Sequence, residues 1–158
     1  MMLKVNIANQ TMEMLENDKT LRVYTISTAK NGPGELMHSE CTPRGLHIIR
    51  AKIGHNCPPN TVFVGRRPTG EIYSPELRSG FPKRDWILTR ILWLSGLEPE
   101  RNRLGRVDTM QRYIYIHGCP DEDVMGIPSS HGCVKMRNED VIELFNNVPV
   151  GTRVLIEE

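Results

Sequence analysis

The chain has 158 residues, 39% of them hydrophobic, and a net charge of +1. That length suits one domain with its own core over residues 1–158, and the near-neutral balance gives no electrostatic support to a nucleic-acid or polybasic membrane-surface role. No apolar run approaches the roughly 20 residues of a membrane span, and the opening Met1-Met2-Leu3-Lys4-Val5-Asn6 lacks the apolar core of a signal peptide.

The 13 glycines and 11 prolines predict many turns, as in a mainly β chain. Leu3, Val5 and Ile7 alternate with polar residues and read as a strand. A turn at Asn9-Gln10, a strand around Met12 to Leu15, a turn at Glu16 to Lys19 and a strand from Leu21 to Ile26 complete a meander. Lys30 to Gly34 is a loop. Pro43 holds Thr42 extended, and Gly45 turns the chain into a strand carrying His47, which reads as a packed or surface residue more readily than as a cleft residue.

Thr61 to Val64 form a further strand ending at Gly65-Arg66-Arg67. The paired arginines suit a substrate carboxylate, although a solvated loop is the simpler reading. Asp85 to Leu94 is predicted as a helix from the spacing of Ile87, Ile91 and Leu94, with Asp85 as N-cap and Gly96 as stop. Glu98 to Val107 is a charged loop and a candidate lid. Tyr113 to Ile116 read as a strand closed by His117-Gly118, and Val134 to Met136 as a short strand. A helix capped by Asn138 presents Val141, Leu144, Phe145 and Val148 on one face. Thr152 to Ile156 form the last strand.

Chemistry concentrates between residues 117 and 133. Cys133 follows Ser130-His131-Gly132 in a Pro-bounded turn, and a thiol becomes a nucleophile when an imidazole takes its proton. His117 lies 16 residues earlier on a strand end, far enough for the chain to fold back. Gly132 allows close main-chain approach, so N–H groups around His131 to Cys133 form a candidate oxyanion hole. Two other readings stand beside this one: Cys133 as a small buried hydrophobe, and His117-x-Cys119 with His131-x-Cys133 as zinc ligands, against which the one-residue gaps depart from usual zinc spacing. Cys41, Cys57, Cys119 and Cys133 show no disulfide-framework spacing. His55-x-Cys57 precedes Pro58-Pro59 and reads as loop.

His117-Gly118 followed by Ser130-His131-Gly132-Cys133-Val134-Lys135 resembles the signature of the L,D-transpeptidase catalytic domain, YkuD type. The resemblance runs from about Leu3 to Ile156 and includes Thr42-Pro43-Arg44-Gly45. It implies a mainly β fold, a bent β-sandwich with about two short helices. It implies Cys133 as nucleophile, His117 as base oriented by the Gly118 carbonyl, and His131, Ser130 and Gly132 shaping the oxyanion side, with no cofactor and no metal. Lys135 stands where the family usually has Arg, and Cys119 where Thr or Ser is familiar. The implied substrate is a peptidoglycan stem peptide or muropeptide. Its bond between an L- and a D-centre is transferred through a thioester to an amine, or hydrolysed as by an L,D-carboxypeptidase or amidase. The implied setting is the cell envelope, although the chain shows no export segment.

Overall fold

The computed structural model describes residues 1–158. The chain opens with a three-strand antiparallel meander: β1 (Met2–Asn6), β2 (Thr11–Glu16) and β3 (Lys19–Ser27). Strand β4 spans Gly45–Ile53, and a hairpin follows, β5 (Thr61–Val64) and β6 (Arg67–Ile72). Helix α1 (Pro75–Gly80) leads to β7 (Ile87–Gly96), β8 (Tyr115–Gly118) and β9 (Val134–Met136). Helix α2 (Asn138–Asn147) and β10 (Arg153–Glu157) end the chain.

All ten strands belong to one sheet, in the order β4-β10-β1-β2-β3-β9-β8-β7-β5-β6, and β4 pairs again with β7. Eight strands therefore close on themselves, leaving the β5–β6 hairpin as a flap on β7. Closure removes the exposed edges that an open sandwich would carry. Two junctions are parallel: β1 with β10, and β8 with β9.

Twenty buried apolar residues fill the interior, among them Leu3, Val5, Met12, Tyr24, Ile26, Ile116, Val134, Val154 and Ile156. Their alternation along each strand is the period-2 signal read from the sequence. Helix α2 adds Val141, Leu144 and Phe145 to this core and packs on β7 and β8. It thus backs the strand that carries His117.

Several boundaries differ from the sequence reading. Residues 87–96 form a strand, not a helix. They are buried on both faces and paired with β4, β5 and β8, and a two-sided apolar run carries no strand alternation to distinguish it from helical spacing. Asp85 consequently caps nothing. The second helix is instead α1, where Ser74 accepts a bond from the Leu77 N–H at 3.1 Å and Pro75 occupies the first turn, a start signal present in the sequence. The N-cap of α2 is Arg137 rather than Asn138. Strand β8 begins at Tyr115, because Tyr113 adopts φ +56°. Residues 67–72 form a strand for which the sequence offers no reading beyond the loop at Gly65-Arg66-Arg67.

The 98–107 loop is pinned, not lid-like. Asn102 is fully buried; its Nδ2 donates to the carbonyls of Arg44 and Leu46, and its Oδ1 accepts from the Glu98 N–H. The loop covers β4 and lines no part of the pocket described next.

Candidate active site

Parallel pairing of β8 with β9 sets Ile116 against Val134 and His117 against Lys135. Ile116 and Val134 point into the core. Alternation then sends Tyr115, His117 and Cys133 to the opposite face. There His117 and Cys133 line one pocket of about 490 Å3. Neighbouring strands lie about 4.8 Å apart and residues rise about 3.3 Å each, so the register sets His117 and Cys133 on adjacent strands, two residues apart along the diagonal.

His117 is buried, and its Nδ1 lies 2.6 Å from the Gly118 carbonyl oxygen. A carbonyl only accepts, so Nδ1 carries the proton and Nε2 is left as the basic nitrogen. Burial pushes the His117 pKa down, while Asp85 and the Gly118 carbonyl act in the opposite sense. The Cys133 thiol is pushed up to about 12 by burial; Asp85 adds to the rise, and the Tyr115 N–H and Arg112 oppose it. Both groups are therefore neutral at rest. The Tyr115 N–H donates to Sγ at 3.2 Å, and Sγ–H donates to the Tyr113 carbonyl at 3.4 Å. The resting thiol proton thus points to the Tyr113 carbonyl.

The turn before Cys133 is held on three sides. Ser130 Oγ donates to the Cys133 carbonyl at 2.6 Å and accepts from the Gly132 N–H at 3.2 Å. Thr42 Oγ1 donates to the Gly132 carbonyl at 2.9 Å. Gly132 has φ +131°, and a Cβ there would stand 3.0 Å from Ile114 Cδ1 and 3.2 Å from the Cys41 oxygen, so only glycine fits. With the Gly132 N–H engaged by Ser130, the main-chain N–H groups of His131 and Cys133 are the ones that make no bond within the protein. Those two N–H groups are therefore open to a ligand.

Beneath Gly118 lies a buried polar knot. Asn138 Oδ1 accepts from Thr89 Oγ1 at 2.6 Å, and its Nδ2 donates to Asn60 Oδ1, the Cys119 carbonyl and Asp121 Oδ1. Thr89 sits at φ +76° where the β7–β8 register shifts. Left-handed backbone at a β-branched residue is strained. Here the strain places the Thr89 hydroxyl against Asn138, beneath the Cα of Gly118.

The pocket walls include Arg112, which the sequence reading did not assign, Arg66, which it weighed against a solvated loop, and Asp85, which it placed at a helix start. Arg112 donates to the carbonyls of Gly34 (3.2 Å) and Cys41 (2.6 Å), tying the 34–41 loop to the site. Arg66 Nη1 donates to the Tyr115 hydroxyl at 3.0 Å. Asp85 is exposed at the pocket's edge. These residues converge only through tertiary structure; the paired arginines were the one local signal among them.

Other expected site residues stand further out. His131 is exposed at the rim, its Nδ1 3.9 Å from Glu40 Oε1, and is not in a position to orient Cys133. Lys135 lines an adjoining pocket rather than the Cys133 pocket; its Nζ pairs with Asp123 at 3.2 Å and donates to Ser129. His47 is fully buried, bonded to the Gly45 carbonyl and Thr109 Oγ1, and pushed down to about 4 by burial, so it is structural. The two His-x-Cys pairs do not converge as ligands. Cys119 is buried and donates to the Met136 carbonyl at 3.3 Å, and no group of three or more His, Cys, Asp or Glu gathers anywhere in the fold. All four cysteines are unpaired.

Comparison with known proteins bears on this arrangement. YkuD of Bacillus licheniformis, which carries an L,D-transpeptidase name, is 49% identical over 152 residues, covering 96% of this chain and 62% of that protein. YbiS of Escherichia coli, similarly named, is 54% identical over 43 residues, 27% of this chain and 14% of its own. Solved folds also align, including L,D-transpeptidase 3 of Mycobacterium tuberculosis (TM-score 0.61, 16% identity, 99% of this chain and 60% of that one). The L,D-transpeptidase from Xylanimonas cellulosilytica gives a TM-score of 0.55 at 16% identity, covering 99% of this chain and 59% of that one. The chain thus spans at most about three-fifths of these relatives. The family model described as the L,D-transpeptidase catalytic domain, YkuD, matches residues 2–156. With the closed β fold and the His117–Cys133 pocket at its centre, this chain belongs to the L,D-transpeptidase catalytic-domain family.

Proposed function

We propose that the domain is a cysteine acyltransferase that acts on peptidoglycan stem peptides as an L,D-transpeptidase. The observation that supports it most is the imidazole held by the Gly118 carbonyl in the same pocket as the Cys133 thiol. Such a tautomer can accept a proton at Nε2 and return it.

The steps follow from that arrangement. Substrate binding turns the thiol toward His117, which takes the proton as Sγ attacks the carbonyl carbon of an L-centre–D-centre bond. The N–H groups of Cys133 and His131, which have no partner within the protein, donate to the oxyanion. The C–N bond breaks, His117 protonates the leaving amine, and a Cys133 thioester remains. An acceptor amine then attacks, giving its proton to His117, and the thiolate leaves and is reprotonated. A second pocket of about 230 Å3 shares Asp85, Ser130 and His131 with the first, offering the acceptor an approach of its own.

The test is intact-mass spectrometry of purified domain incubated with a synthetic stem tetrapeptide, with and without a D-amino acid acceptor. We expect a thioester adduct on wild type, exchange product only with acceptor, and no adduct on Cys133→Ala. Turnover retained in Cys133→Ala removes the mechanism. Hydrolysis product alone in both mixtures replaces transfer with the carboxypeptidase reading.

A further inference from the structure

The Cys133 pocket carries a cation that the protein's own hydrogen bonds leave underused. The Arg66 guanidinium lies 4.6 Å from the Trp93 ring centroid and 4.9 Å from that of Tyr113. Its Nη1 donates to the Tyr115 hydroxyl. No Asp or Glu pairs with it, and its other N–H groups make no bond within the protein. Among the arginines, Arg22, Arg44, Arg78, Arg84 and Arg101 all have carboxylate partners.

The backbone at this position is also unusual. Gly65 and Arg66 are the two central residues of the β5–β6 turn, at φ +56° and +62°. A two-residue turn with both φ positive favours Asn-Gly or Gly-Gly, yet a long charged side chain occupies the second place. The aromatic platform holds that side chain over the pocket rather than letting it trail into solvent. A planar, preorganised fork with unfilled donors matches a carboxylate. The three aromatic residues beneath it come from β7, β8 and the segment between them, so the fork is fixed relative to Cys133.

We propose that Arg66, seated on Trp93, Tyr113 and Tyr115, is a carboxylate-recognition subsite for the acyl donor and selects donors bearing an anionic group beside the bond attacked by Cys133. This rests on the acyl-transfer reading above. The carboxylate can come from the terminal residue that leaves or from an acidic side chain on the retained part of the peptide.

The experiment measures the rate of Cys133 acylation at sub-saturating donor by intact mass. Four synthetic tetrapeptides are compared: the parent, its C-terminal carboxamide, its internal side-chain carboxamide, and the doubly amidated form. A charge-assisted pair predicts that wild type favours the acid over the amide by about ten- to a hundred-fold at one of the two positions, and that position identifies the source. Arg66→Gln should reduce the preference to below about threefold, Arg66→Lys should leave an intermediate preference, and Arg67→Gln, on the neighbouring strand residue outside the pocket, should keep it. Equal rates for all donors in wild type overturn the subsite while leaving acyl transfer intact, as does a preference that survives Arg66→Gln. Absence of any Cys133 adduct overturns the acyl-transfer reading itself, and the subsite with it. The wild-type comparison requires no variant to fold.

Discussion

A Cβ on residue 118 would stand 2.3 Å from Asn138 Oδ1, and 2.8 Å from the Leu88 carbonyl. Gly118 is therefore the point where α2, β7 and β8 meet, and its carbonyl sets the His117 tautomer. Neither contact can yield cheaply, since one is backbone and the other is bound in the buried Asn138 knot. Gly118→Ala is expected to lower stability by about 1–3 kcal/mol and to reduce acylation more than its loss of folded protein explains. Asn138→Ala leaves the Cys119 carbonyl without its donor and should likewise lower stability by about 1–3 kcal/mol. Denaturant unfolding, with acylation rates corrected for folded fraction, checks both.

The resting pair is neutral, which has a definite sign in pH. The raised Cys133 pKa leaves almost no thiolate at neutral pH, so iodoacetamide alkylation of Cys133 should be slow at pH 7 and rise through pH 9 and above. The lowered His117 pKa keeps the base neutral below the usual histidine range, so acylation should fall off only at pH below about 6.5. Asp85 raises both values. Asp85→Asn should therefore slide the acid limb and the alkylation curve toward lower pH, and added salt should shrink the difference because Asp85 is exposed. Peptide mapping after timed alkylation measures it; a shift to higher pH would contradict the assignment.

A pinned 98–107 loop predicts slow hydrogen exchange. The Asn102 and Thr109 amides donate to the Glu98 and Asn102 carbonyls, and their protection should approach that of β4. Asn102→Ala removes donors from two carbonyls and should lower stability by about 2–4 kcal/mol, or roughly 4–16 °C in Tm at this chain length. Exchange of this loop at free-peptide rates would restore the lid.

The buried Cys119 thiol donates to the Met136 carbonyl and is pushed up to about 11 by burial. Serine keeps a donor there, so Cys119→Ser should retain acylation within about threefold. Chelator should change neither melting nor rate. Stoichiometric zinc in the purified domain, lost in Cys119→Ser, would support the metal-bound alternative instead.

The meander, the last strand and the α2 stripe were legible because each buries one face, and one-sided burial writes its period into the residues. That His117 and Cys133 share a pocket was legible for a related reason: they lie at strand ends within 16 residues of each other, flanked by glycines that the geometry demands. Strand β7 was misread because both its faces are buried, which erases the period. Lys135, which stands where the resembled family usually has Arg, belongs to an Asp123 ion pair, a partner twelve residues away that no motif names.

What the amino acids determined alone is the proposed nucleophile, its proposed base and the turn that joins them, since these are local in the chain. Which neutral form the pair takes, and which charges face it, was decided by folding. Arg66, Asp85 and Arg112 come from separate segments, and burial shifts a proton equilibrium only once those segments close around it.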